Sequence, residues 1–205
     1  MEELLALVGE ADDEEDIVIR FTGATWLGPS LQLQFALSVL DSARGIWEVR
    51  CEEVLAYSLC NEGANWIELV DDHPLLWEFK REIAQAFFYG APANSDAAVG
   101  ALYEAHQNAV SPWIKFGRYL NNLPGLSKLL AAGDGLLAAG PMPLLTLYKD
   151  TLGQHGVEVD IRFPRPPRVW NGSSWRQLEL ENNTKALILG PSYVIGNGWV
   201  AQHKT

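Results

Sequence analysis

Basic residues are missing where acidic ones are densest. No Lys or Arg occurs before Arg20, yet eight of the 26 Asp and Glu lie in the first 16 residues: Glu2, Glu3, Glu10, Asp12, Asp13, Glu14, Glu15 and Asp16. An unbalanced acid run repels nucleic acid and anionic membrane and steers a basic partner. Cysteine is equally scarce. Cys51 and Cys60 cannot staple a chain of 205 residues, so the fold must rest on a hydrophobic core. Neither thiol follows a helix start or sits among bases that would activate it, and both read as buried apolar side chains.

Other absences exclude whole classes. The four His and two Cys show no metal-ligand spacing, so no metal and no cofactor are expected. There is no Gly-X-Ser-X-Gly elbow and no phosphate-binding loop ending in Gly-Lys-Ser/Thr. No apolar run approaches the roughly 18 residues of a membrane span. No basic-then-apolar start marks a secretory leader, so a cytoplasmic, bacterial setting is expected.

What is present is a core. The chain is 48% hydrophobic with eight Trp, seven Phe and six Tyr, enough to bury a core unaided. Beyond residue 16 the acids fall to 18 against 15 bases. The reading is an acidic N-terminal arm over 1–16 and a single domain over 17–205, any subdivision falling near 91–95.

Periodicity sets the fold class. Glu2 to Val8 reads as a short helix. Leu31, Leu33, Phe35 and Leu37 alternate with Gln32, Gln34, Ala36 and Ser38, the cleanest period-two pattern in the chain. Strands are also expected over 16–22, 46–54, around Tyr57 and over 66–70. Asn94-Ser95-Asp96 caps a helix to Val110, with Val99, Leu102, His106 and Val110 on one stripe. Further helices are expected over 113–120, 126–132 and 141–154. Strands over 136–139 and 157–163, a hairpin through Asn171-Gly172, and strands over 186–189 and 193–195 complete the pattern. The class is α+β, a mainly antiparallel sheet with three or four helices packed on one side.

Three groups of residues carry candidate chemistry. Asp71 and His73, two apart on an extended segment, point the same way and suit acid–base work; the alternative is a helix entry, Asp72 capping and Pro74 in the first turn. His106 lies on an apolar stripe and reads as a core histidine unless the fold brings it to Asp71 and His73. Arg162, Arg165, Arg168 and Arg176 fall within 15 residues that contain no acid, interleaved with prolines, Trp170 and Trp175. With Trp26, which lies at a turn, Arg165, Arg168, Trp170 and Trp175 form the expected binding surface. Four Arg in an acidic chain are too few for nucleic acid. The expectation is a cytosolic protein-binding factor without catalysis of its own, of accessory, inhibitor or immunity type, whose partner presents a basic surface. The alternative is a small metal-dependent or acid–base enzyme built on Asp71, His73 and His106.

Overall fold

The computed structural model describes residues 1–9, 16–60, 63–121, 123–180 and 182–204. The first part holds α1 (Glu2–Val8), β1 (Ile17–Leu27), β2 (Ser30–Val39), β3 (Ser42–Cys51), β4 (Ala56–Ser58) and β5 (Ile67–Val70). Then come α2 (Trp77–Lys80), β6 (Ile83–Tyr89), α3 (Ser95–Val110), α4 (Leu126–Ala131), β7 (Asp134–Pro141), α5 (Met142–Gly153), β8 (Glu158–Arg165), β9 (Arg168–Trp170) and β10 (Trp175–Gln177). The chain closes with β11 (Lys185–Leu189), β12 (Ser192–Gly196) and β13 (Trp199–Lys204). Two compact units result: Met1–Leu76 with Asn183–Thr205, and Trp77–Asn182. The second is inserted in the first, and its boundaries differ from the 91–95 region read from the sequence.

The first unit pairs two four-stranded antiparallel sheets, ordered β1-β2-β3-β13 and β4-β12-β11-β5. Period-two patterning makes them: Leu31, Leu33, Phe35, Leu37 and Val39 are buried while Gln32, Gln34, Ala36 and Ser38 between them are half-buried. Leu187 and Val194 of the second sheet share that core. β12 passes close to β3. A Cβ on Gly196 would collide with Cys51 Sγ and lie 2.9 Å from the Glu52 carbonyl oxygen, so only glycine fits.

The N-terminal helix belongs to this core. Leu4 of α1 is completely buried, with Met1, Leu7 and Val8 packed beside it. The beginning of the acidic arm is therefore anchored, whereas Glu10 and Asp12 to Glu15 lie outside the described residues. At the other end of the chain a strand forms. β13 pairs with β3 from Trp199–Cys51 to Lys204–Ile46, and His203 lies 5.3 Å from the Trp47 ring. Its side chains are mostly exposed, so it lacks the alternation that marks an inner strand.

The second unit is a three-stranded antiparallel sheet, β7-β6-β8, with α5 against all three strands, α3 on α5 and α4 on α3. Ala84, Ala86 and Phe88 alternate into the core with Leu102 and Val110 of α3 and Leu144, Tyr148 and Leu152 of α5. Asn94 caps α3 by accepting the Ala97 N–H at 3.0 Å. The helix expected over 113–120 is instead a set of turns. Leu120 bridges Ala138, the Tyr119 carbonyl accepts from Ala139, and Asn121 donates to Leu137, drawing 119–121 along the β7 edge. The Tyr119 ring fits there because residue 140 is glycine; a Cβ would stand 2.8 Å from the ring. Helical pattern lost to unpaired edge groups that needed partners.

The α+β class with antiparallel pairing stands, but the single sheet does not. Strand predominates and is divided among four sheets, the smallest being the β9–β10 hairpin. No helix among the described residues is long and apolar enough to cross a membrane.

Candidate functional site

Residues 162–176 of the second unit gather arginine and aromatic side chains, beginning at a bulge. β8 pairs with β6 from Glu158–Tyr89 to Arg162–Gln85, slips, and resumes at Arg165–Ile83. The slip puts Phe163 at φ 56° with 66% of its surface exposed. For a bulky residue that backbone region costs about 1–2 kcal/mol. A bulge re-aims side chains, and this one turns Phe163 outward to meet Phe87 edge-on at 6.4 Å. Arg162 is already occupied: its Nε donates to Asp160 at 2.6 Å, and its guanidinium lies 5.7 Å from Phe87 and 5.8 Å from Tyr89.

Arg165 walls two open clefts. One, of about 270 Å³, is completed by Ile83, Pro166, Arg168 and Trp175. The other, of about 290 Å³, is completed by Ala84, Gln85, Ala139 and Phe163. Beyond them the hairpin presents Trp170 and Trp175, directly opposite each other with rings 5.8 Å apart and both more than half exposed. The hairpin is braced at both ends. Asn171 Oδ1 accepts from the amides of Ser173 and Ser174 at 3.0 and 2.8 Å, and Gly172 takes the positive φ of the turn. At the base the Leu178 amide donates to the Pro167 carbonyl, and both residues are buried. Arg165, Arg168 and Arg176 are exposed and make no ion pair among the described residues. Arg165 and Arg168 thus stand beside exposed indoles, a combination suited to anions and to apolar side chains, whereas Arg176, next to Trp175 on β10, belongs to the other side of the hairpin.

Of the expected binding residues, the fold unites Arg165, Arg168, Trp170 and Trp175. Trp26 is in the first unit, edge-on to Tyr57 at 5.4 Å. Phe163 and Phe87 were not anticipated; Phe163 stood in the Arg-rich stretch, but nothing in the sequence gives its positive φ.

Two of the expected catalytic residues, His73 and His106, hold hydrogen bonds of their own. His73 Nδ1 accepts the Leu75 amide at 3.2 Å, capping the helical turn Pro74–Leu76. The cap is His73, where the sequence suggested Asp72. Burial lowers the His73 pKa, with Glu68 and Asp72 pulling the other way, which keeps the ring in its accepting, neutral form. His106 is completely buried in the second unit, while Asp71 and His73 belong to the first. Its Nε2 donates to the Ile114 carbonyl at 2.7 Å and its Nδ1 accepts from the Tyr148 hydroxyl at 2.8 Å. Burial pushes the Tyr148 pKa up, so that hydroxyl keeps its proton to donate. Both ring nitrogens of His106 are spent on the core.

Burial, aided by Glu52, pushes the Cys51 thiol up to about 12, so it stays protonated. Among the described residues no cluster of three or more His, Cys, Asp or Glu is placed to hold a metal ion. No family model matches this chain, and neither a curated protein nor a solved structure shows significant similarity to it.

Proposed function

We propose that this chain is a non-catalytic protein-binding factor, with the Arg–aromatic face of the second unit as its contact surface. The observation that carries the reading is the exposed Trp170–Trp175 pair beside the Arg165 and Arg168 cleft. Trp and Arg are the residues that dominate protein contacts, and large exposed aromatics are costly to display without use. The strain at Phe163 supports it, since a backbone outlier beside a cleft persists where the surrounding structure holds it for a purpose. The basic partner suggested by the N-terminal acids rests largely on residues outside those described; the Arg–aromatic face replaces it as the basis of the proposal.

The test compares partners captured from host extract by the full chain, by Trp170→Ala/Trp175→Ala and by Asp71→Asn/His73→Gln. A stoichiometric partner held by wild type and by the Asp71/His73 variant, and lost by the tryptophan variant, is expected. A partner retained by the tryptophan variant, or none with wild type, overturns the reading.

A further inference from the structure

Charge is divided unevenly between the two units. The first carries 16 acids against 5 bases, whereas the second carries 10 of each. All of the chain's net −11 therefore belongs to the first unit. Within the neutral second unit, residues 162–176 contain four arginines and no acid. Of these, Arg162 is neutralised by Asp160, leaving Arg165, Arg168 and Arg176 without an ion pair among the described residues. Two of those three, with an indole, an isoleucine and a proline, make one cleft. A ligand that fits must supply negative charge for the guanidiniums and an apolar group for Trp175.

Resting on the protein-binding reading above, we propose that the occupant is a short acidic peptide segment of the partner, its carboxylates on Arg165 and Arg168 and a neighbouring apolar side chain against Trp175. Charge complementarity selects the acid, and the indole and Pro166 select the apolar neighbour. A single-stranded nucleic acid would also offer anions and stacking bases. It carries a charge at every nucleotide, however, and the two guanidiniums of the cleft answer few of them. A peptide with two carboxylates matches Arg165 and Arg168 without that excess. Strand addition to the edge of β8 is not the mode of docking, because the bulge and Pro164 interrupt its hydrogen-bonding groups.

The experiment selects random dodecapeptides against the full chain and measures the winners by fluorescence anisotropy. Wild type, Arg165→Gln/Arg168→Gln and Trp170→Ala/Trp175→Ala are compared, with a single-stranded oligothymidine as a second probe. Each variant's thermal melt is recorded, and Arg165→Gln alone replaces the double variant if that melts early. The expected winners hold two or more acids beside an aromatic or aliphatic residue. They bind the arginine variant about tenfold or more weakly, a loss of about 1.4 kcal/mol, and weaken with added salt. Winners without an excess of acids, bound equally by the arginine variant and lost with the tryptophan variant, overturn the acidic segment while the protein-binding face stands. Failure to select any peptide that distinguishes wild type from the tryptophan variant sinks both. Oligothymidine bound more tightly than every peptide and lost with the arginine variant replaces the peptide with nucleic acid.

Discussion

The first unit, with 16 acids and 5 bases, encloses its core between two sheets; the second, with 10 of each, encloses its core between a sheet and helices. Their exposed edges differ as well. From Phe21 to Leu27 the edge strand β1 has no charged residue and ends in the exposed Trp26 and Leu27. The edge strand β8 instead carries a bulge, a proline and two arginines, the devices that keep an edge from pairing with another chain. The difference teaches that whole-chain averages mislead. A net charge of −11 argues against anionic ligands, yet none of that net charge belongs to the unit that bears the Arg–aromatic face. The two cores differ in kind too: the second buries a hydrogen-bonded His106–Tyr148 pair, where the first buries mainly aliphatic and aromatic side chains.

The largest expected effect tests whether the N-terminal helix belongs to the first unit. Leu4→Ala removes a completely buried side chain and is expected to cost roughly 3 kcal/mol. Amide hydrogen exchange should show protection falling in β1, β2 and β11 while α3 and α5 keep theirs. Equal losses in both units would dissolve the distinction between them. Next is Tyr148→Phe in the second unit, which leaves His106 Nδ1 buried without its donor. The expected cost is about 1–3 kcal/mol, read by denaturant unfolding, with the exchange change now confined to α3, α5 and β6.

A smaller effect with the opposite sign is expected at Phe163. Phe163→Asn relieves the positive φ and should stabilise the chain by about 1 kcal/mol while weakening partner capture. A variant both less stable and fully active would show that the strain serves neither purpose. The smallest effect is one of pH. His73 is held below its ordinary value mainly by burial. Its contribution is therefore complete above the unfolded value of about 6.5 and is lost as pH falls through the lower folded value. Thermal melts between pH 7.5 and 5 should fall less steeply for His73→Asn, which keeps an acceptor but cannot titrate. Identical slopes would remove His73 as the source.

Much of the local structure was legible because it follows from short-range chemistry. The alternation of Leu31 to Leu37, the Asn94 cap and the Asn171-Gly172 turn each satisfy backbone or burial demands within a few residues. β13 was not legible, because Trp199 to Lys204 is an exposed edge whose partner, β3, lies about 150 residues earlier in the chain. The 113–120 segment read as helix because nothing local discloses that Tyr119 and Asn121 are needed along β7. The candidate site was half legible. Arg165, Arg168, Trp170 and Trp175 are close in sequence, so their clustering needed only the hairpin. Ile83, Phe87 and Ala139 reach it through strand pairing alone.

By itself, then, the sequence determined the α+β class, most strands and helices and the local concentration of arginine and tryptophan, since periodicity and capping act over one or two turns of chain. Only the tertiary structure decided the division of the chain into two units, the partition of charge between them, the capping role of His73 and the core role of His106. These depend on which distant groups meet, and burial assigns each of those groups its partner.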